Sequence, residues 1–90
     1  MTEWRAEFSE KAESDLRMLD RLVRRQIIDR IGWLVENFDS VTPLPLHGKW
    51  RGFFKLRVGD WRVVYEIEAG EKILKIHYID HRDKIYKRGK

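Results

Sequence analysis

The chain has 90 residues, 19 of them basic and 15 acidic, with 42% hydrophobic content and a formal net charge of +4. That length holds one compact domain, read here as residues 1–90, with a single core and little room for tails or linkers. Cysteine is absent, which excludes disulfides, thiolate metal sites and thiol nucleophiles.

Met1 to Asp20 is dense in charge and contains no apolar run of signal-peptide length, and nowhere do about eighteen apolar residues follow one another. A soluble, cytoplasmic protein without a membrane contact is expected. Glu3 to Phe8 alternates Trp4, Ala6 and Phe8 against Glu3, Arg5 and Glu7, the period-two pattern of a half-buried strand. Ser9 then offers a helix N-cap, and Glu10 and Glu13 suit the positive end of the helix dipole. Ala12, Leu16 and Leu19 follow at helical spacing. After Asp20 a second stripe runs through Val23, Ile27, Ile31, Leu34, Val35 and Phe38, all on one side of a long helix. Arg21, Arg24, Arg25, Asp29, Arg30 and Glu36 take the other side.

Asn37 to Gly48 contains both prolines, Pro43 and Pro45, and is read as the one real loop. From Lys49 the texture changes to strands: WRGFFKLRV, a Gly59-Asp60 turn, WRVVYEIE, an Ala69-Gly70-Glu71 turn, then ILKIHYID. The expected fold is α+β: an N-terminal strand, two helices, then a three-stranded antiparallel meander forming a curved sheet packed on the helices. A domain of this size buries only around 60–65% of its unfolded surface, so it gains from a partner.

Charge is unevenly placed. Residues 1–46 carry 7 basic and 9 acidic side chains, and residues 47–90 carry 12 and 6, so the net charge goes from −2 to +6. One surface is therefore suited to a polyanion or an acidic partner. If Phe54, Leu56 and Val58 face the helices, Phe53, Lys55 and Arg57 face away; if Val63, Tyr65 and Ile67 face inward, Arg62 and Val64 face outward. Lys55, Arg57 and Arg62 then share an open face, joined by Arg82 after the last strand. Lys75 and His77 share a face of that strand too, although Ile73 and Ile79 have the same parity.

Guanidinium forks match phosphate oxygens and lysine adds a point charge, so these residues form a candidate phosphate cradle. Trp50, Phe53 and Trp61 lie among them, and aromatic faces interleaved with cations suit stacked bases of single-stranded RNA. The competing reading pairs Arg57 and Arg62 with Glu66, Glu68 or Asp60 and places the tryptophans in the core. His47, His77 and His81 have no metal-ligand spacing, so no metal site is expected. His47 and His77 read as structural or exposed, whereas His81 sits at the edge of the cationic face, where proton transfer is open to it. No Gly-rich nucleotide loop or nucleophile elbow is present, and Gly52 and Gly59 read as strand and turn glycines.

Leu46-His47-Gly48, the run FKLRVGDWRVVY from Phe54 to Tyr65, and His81-Arg82 followed by Tyr86 resemble the RelE/ParE superfamily of toxins from toxin–antitoxin pairs. The resemblance covers nearly the whole chain, from Phe8-Ser9 to Tyr86, and implies the RelE-like microbial RNase fold. RelE-like members enter the ribosomal A site and cut mRNA without a metal or other cofactor. ParE-like members share the fold and poison DNA gyrase. The RelE-like branch is favoured, which implies an mRNA interferase that inhibits translation; the alternative is a gyrase-inhibiting interaction protein. A nontoxic binding module is the third possibility.

Carried over residue by residue, the resemblance implies catalytic roles for Lys55, Arg62, Arg82 and Tyr86, with Lys49, Arg51, Arg57 and His81 as RNA-binding residues. The family's lysine pair on the strand before the Gly59-Asp60 turn falls on Phe53 and Lys55, and only Lys55 matches; Lys49 and Arg51 are the substitutes at hand. The implied chemistry is attack of the RNA's own 2′-hydroxyl on the adjacent phosphate, giving a 2′,3′-cyclic phosphate and a free 5′-hydroxyl. Such a step needs a base, positive charge for the phosphorane, and an acid for the leaving oxygen. Arg62 and Lys55 would supply charge, Arg82 would hold the phosphate or assist the leaving group, and Tyr86 would be the acid/base. Implied partners are a RelB-like antitoxin, the ribosome and mRNA. Affinity for free RNA should be weak and salt-dependent, because the contacts are mainly to phosphate.

Overall fold

In the computed structural model, which describes residues 3–88, the alternation before Ser9 gives strand β1 (Arg5–Phe8), followed by helices α1 (Glu10–Arg17) and α2 (Arg21–Glu36). Four further strands follow: β2 (Leu44–Pro45), β3 (Phe54–Val58), β4 (Trp61–Glu68) and β5 (Ile73–His81). They form one five-stranded sheet in the order β1-β5-β4-β3-β2. The β2–β5 portion is antiparallel, while β1 lies parallel to β5, so the two helices serve as the crossover between sheet edge and meander. The architecture is α+β, two helices with an open mixed sheet.

Both helix starts are capped by the residue before them. The Ser9 hydroxyl accepts from the Ala12 N–H at 3.0 Å, and Asp20 Oδ1 accepts from the Val23 N–H at 3.0 Å. Ser9 also donates to the His77 carbonyl, and the Asp15 carboxylate accepts the Ile79 N–H at 2.8 Å. β5 is longer than its neighbour β1, so these α1 groups satisfy β5 backbone atoms that β1 does not reach. Arg24 departs from expectation. It does not sit on a solvated face but is half-buried, its guanidinium donating to the Leu16 and Leu19 carbonyls and closing the corner between the helices.

The helix stripe packs on one sheet face. Ala12, Ile27, Ile31, Leu34 and Phe38 meet Leu56, Val63, Tyr65, Leu74, Ile76 and Ile79 in the main core. Tyr65 is only 1% exposed, and burial pushes its phenol up to about 12. The consequence is an alkaline weakness. Below about pH 10 the phenol is neutral in both states; between pH 10 and 12 the unfolded chain ionises first, so stability falls as pH rises. The expected loss is on the order of 2–3 kcal/mol. Urea midpoints at pH 9 and pH 11 should therefore drop more for the native chain than for Tyr65→Phe, and equal drops would refute the assignment.

The other sheet face is not open, as the alternation alone suggested. Leu46, Trp50, Phe53, Val64 and Ile85 form a second buried cluster on it, with Tyr78 packed alongside. Two 3-10 turns, Gly48–Trp50 and Ile85–Lys87, bring Trp50 and Ile85 over the strands. Val64 faces outward from the helices as expected, yet it is fully buried. The WRGFFKLRV run correspondingly becomes strand only from Phe54.

The proline segment also holds more structure than a loop: a 3-10 turn at Phe38–Ser40 and the two-residue β2. β2 is an edge strand, where the missing N–H of Pro45 costs least. A β-bulge explains the awkward parity of β5. Val64 pairs with Tyr78 and Tyr65 with Ile76, leaving His77 as the extra residue. Lys75 and His77 therefore lie away from the helices while Ile79 joins the main core.

Candidate functional site

The register of β3, β4 and β5 arranges the second face in rows. Nearest the Gly59-Asp60 turn, Arg57 pairs with Arg62 and Arg62 with Asp80; the next row holds Lys55, Val64 and Tyr78. Direct cross-strand neighbours approach to about 5 Å at Cβ, and successive rows are about 7 Å apart. Lys55, Arg57 and Arg62 are thus brought together, as the alternation predicted.

Gly59 has φ +59°, the left-handed region required at the first position of a two-residue type II′ reversal. This turn anchors two arginines. Arg62 Nη1 donates to the Gly59 carbonyl at 2.8 Å and to the Trp61 carbonyl at 2.9 Å. The Arg82 N–H donates to the Asp60 carbonyl at 2.8 Å, while its guanidinium stands 3.7 Å from Asp60 Oδ1. Carbonyls hold the Arg62 fork without neutralising it, and Nε and Nη2 keep their N–H groups for another acceptor. The Arg82–Asp60 pair is more than half exposed on both sides, and such pairs contribute only about 0–1 kcal/mol. A phosphate would compete for that arginine at little cost.

Arg57 and Arg62 are like charges placed directly opposite each other, an arrangement that destabilises a sheet. Neither forms an ion pair with a described residue. Asp80, on the other side of Arg62, gives its carboxylate to the His81 N–H at 2.8 Å and to Arg88 at 3.5 Å. The cross-strand pairing of Arg57 or Arg62 with Glu66, Glu68 or Asp60 is not what the structure shows; Glu66 instead binds His77 Nε2 at 2.7 Å.

Tyr86 is carried by the Ile85–Lys87 turn, whose buried Ile85 shares the second cluster with Val64, the cross-strand neighbour of Lys55. Tyr86 is 37% exposed, and its hydroxyl has no hydrogen-bond partner among the described residues. The segment after β5 thus ties Arg82 to the Gly59-Asp60 turn and seats Ile85, the residue before Tyr86, on the face that carries Lys55 and Arg62.

Other expected members are placed elsewhere. His81 pairs with Trp61 across the strands, their rings 5.5 Å apart, and Trp61 packs against the main core. His81 therefore faces the helix side, because its parity on β5 after the bulge is opposite to that of Asp80. Lys49 and Arg51 are exposed but border the Phe53 end of β3, opposite the Gly59-Asp60 turn. The aromatic platform for bases is also absent in the expected form: Trp50 and Phe53 are buried in the second cluster, and Trp61 belongs to the first face. Phe53 stacks edge-on to Trp50 at 5.7 Å and to His77 at 5.2 Å, so it serves packing where a lysine would have served charge.

Among the described residues no group of three histidines or carboxylates is arranged to hold a metal ion, and no helix is long and apolar enough to cross a membrane. The family model for the ParE toxin of type II toxin–antitoxin systems, parDE, matches residues 6–86. No curated protein sequence matches. Among solved structures, a chain of the RelBE2 toxin–antitoxin complex from Mycobacterium tuberculosis is 26% identical with a TM-score of 0.79, covering 90% of this chain and 100% of that one. The isolated E. coli RelE toxin is 19% identical with a TM-score of 0.72, covering 93% and 92%. A chain of the E. coli DinJ–YafQ toxin–antitoxin complex is 18% identical with a TM-score of 0.72, covering 93% and 98%. The match of the toxin model to almost the full chain, on a fold shared with these structures, shows that this chain belongs to the ParE toxin family of type II toxin–antitoxin systems, within the RelE/ParE superfamily.

Proposed function

We propose that the protein is a ribosome-dependent endoribonuclease that cuts mRNA in the A site and is neutralised by a RelB-like antitoxin. The observation that carries this reading is the Arg57–Arg62 pair, two like charges facing each other with no acidic partner of their own, beside Lys55 and within reach of the turn that anchors Arg82. An anion from outside the chain resolves that repulsion, and a phosphodiester is an anion of the right size for converging forks.

In the reaction, the RNA 2′-oxygen forms a bond to the adjacent phosphorus and the bond to the 5′-oxygen breaks. Arg62 and Lys55 stabilise the charge of the phosphorane, and Arg82 holds a phosphate oxygen or assists the leaving group. Tyr86 exchanges protons with the 2′-hydroxyl or the leaving oxygen. No group from outside the chain is required for these roles. The contacts are mainly to phosphate, so the chain grips free RNA weakly, and the ribosome orients the scissile linkage.

A second reading is favoured by Phe53. Its burial removes one of the two lysine positions implied by the resemblance, and the matching family model is that of ParE, which fits a gyrase-directed interaction protein. One experiment separates the two. After induction, mRNA 5′ ends are mapped by primer extension and plasmid supercoiling is assayed from the same cells. New ends within codons, lost on Arg82→Ala, are expected. Intact messages with accumulated DNA breaks would replace the nuclease reading by the gyrase reading, and neither effect would leave a binding module.

A further inference from the structure

Tyr86 lacks an anchor of its own. The residue is 37% exposed and its hydroxyl is unpartnered among the described residues, so its position depends on the residues that flank it. On one side Ile85 is fully buried. On the other side stands Arg88, which the sequence singled out in no way. Its Nη1 lies 2.8 Å from Asp15 Oδ2 on α1 and 3.5 Å from Asp80 Oδ2 on β5, and its guanidinium carbon sits 4.6 Å over the Tyr78 ring. The three charged side chains are 23%, 16% and 26% exposed, which makes this the most enclosed ion-pair group described.

We propose that Arg88, gripped by Asp15 and Asp80, is the positioning residue that fixes the turn bearing Tyr86. The inference rests on the nuclease reading above for its kinetic consequence, though not for its geometry. One guanidinium ties the end of the Ile85–Lys87 turn to a helix and to the last strand together. Asp15 is itself fixed by the Ile79 N–H, so the clamp is built on the β5 backbone rather than on a mobile side chain. The same contact turns the Asp80 carboxylate away from service to its neighbour Arg62, leaving that cation available for phosphate. Two contacts with carboxylates and one with a ring fix the fork in orientation as well as place.

The test uses the full chain on programmed ribosomes under single-turnover conditions. Arg88→Ala should lower the rate of the cleavage step about 10- to 100-fold with an unchanged half-saturating ribosome concentration, as a misplaced catalytic group does. Asp15→Asn keeps a carbonyl for the Ile79 N–H but loses the carboxylate, and it should give a similar loss although α1 carries none of the cations of the candidate site. Arg88→Lys should recover part of the rate, and Lys87→Ala, which removes the same charge one residue away, should change nothing. Neither clamp variant should slow Tyr86→Phe further. A loss confined to half-saturation, full activity of Asp15→Asn, or losses that multiply with Tyr86→Phe would overturn the proposal. Ring-labelled tyrosine spectra provide a separate arm: the Tyr86 signals should shift and narrow in Arg88→Ala. If the native chain cuts no message the nuclease reading fails by itself, and an unmoved Tyr86 signal would then overturn the clamp.

Discussion

Arg62→Ala should lower single-turnover mRNA cleavage on programmed ribosomes by about 10²–10³-fold, the loss that follows removal of one preorganised group facing transition-state charge. Two features of Arg62 support so large an effect. Its Nη1 is already spent on the Gly59 and Trp61 carbonyls, so the fork is oriented before substrate arrives and needs no rearrangement during the reaction. Its charge is not cancelled, because those partners are neutral and Asp80 is drawn to Arg88. Arg62→Lys should restore only a small part of the rate, since an ammonium cannot bind two carbonyls and a phosphate oxygen in one plane. Stability should barely change, because the lost contacts lie at an exposed turn and removing the charge relieves Arg57. A variant as active as the native chain would remove Arg62 from the reaction.

Much of this arrangement is written in local pattern. Ser9 and Asp20 mark the helix starts because their side chains have one obvious use there, and the Val23-to-Phe38 stripe has a single way to be buried. Lys55, Arg57 and Arg62 fall on one face because alternation through β3 and β4 is uninterrupted around a two-residue turn. What periodicity does not carry is the bulge at His77, which reverses every side chain beyond it and sends His81 to the helix side. Nor does it show what covers a sheet. Trp50 and Ile85 come from short irregular turns with no repeat of their own, so a face that looks open from its strands acquires a second core. Arg24 and Arg88 look like any other surface arginines, because their partners, the Leu16 and Leu19 carbonyls and the Asp15 carboxylate, are set by tertiary folding.

That second core makes a strong demand on one residue. Ile85→Ala should destabilise the chain by about 2–4 kcal/mol, the usual cost of emptying a buried aliphatic site. Ile85 has no exposed surface, and its neighbours Trp50, Phe53 and Val64 are large or β-branched groups with little freedom to close a gap. Trp50 makes collapse harder still: its Nε1 is buried without a hydrogen-bond partner among the described residues, so the ring is held by packing and by edge contacts to Phe53 and Tyr78 at 5.7 and 5.6 Å. Against a total stability of about 5–15 kcal/mol for a small domain, this is a large fraction. Ile85→Val should cost only about 1 kcal/mol, and the urea midpoints of the two variants give the comparison directly. The kinetic effect is separable. At temperatures where Ile85→Ala is still folded, cleavage should remain depressed, because the turn bearing Tyr86 has lost one of its two anchors while Arg62 and Lys55 are untouched. An unchanged midpoint would mean that the sheet's second face is not a core at all, and that the Ile85–Lys87 turn is placed by Arg88 alone.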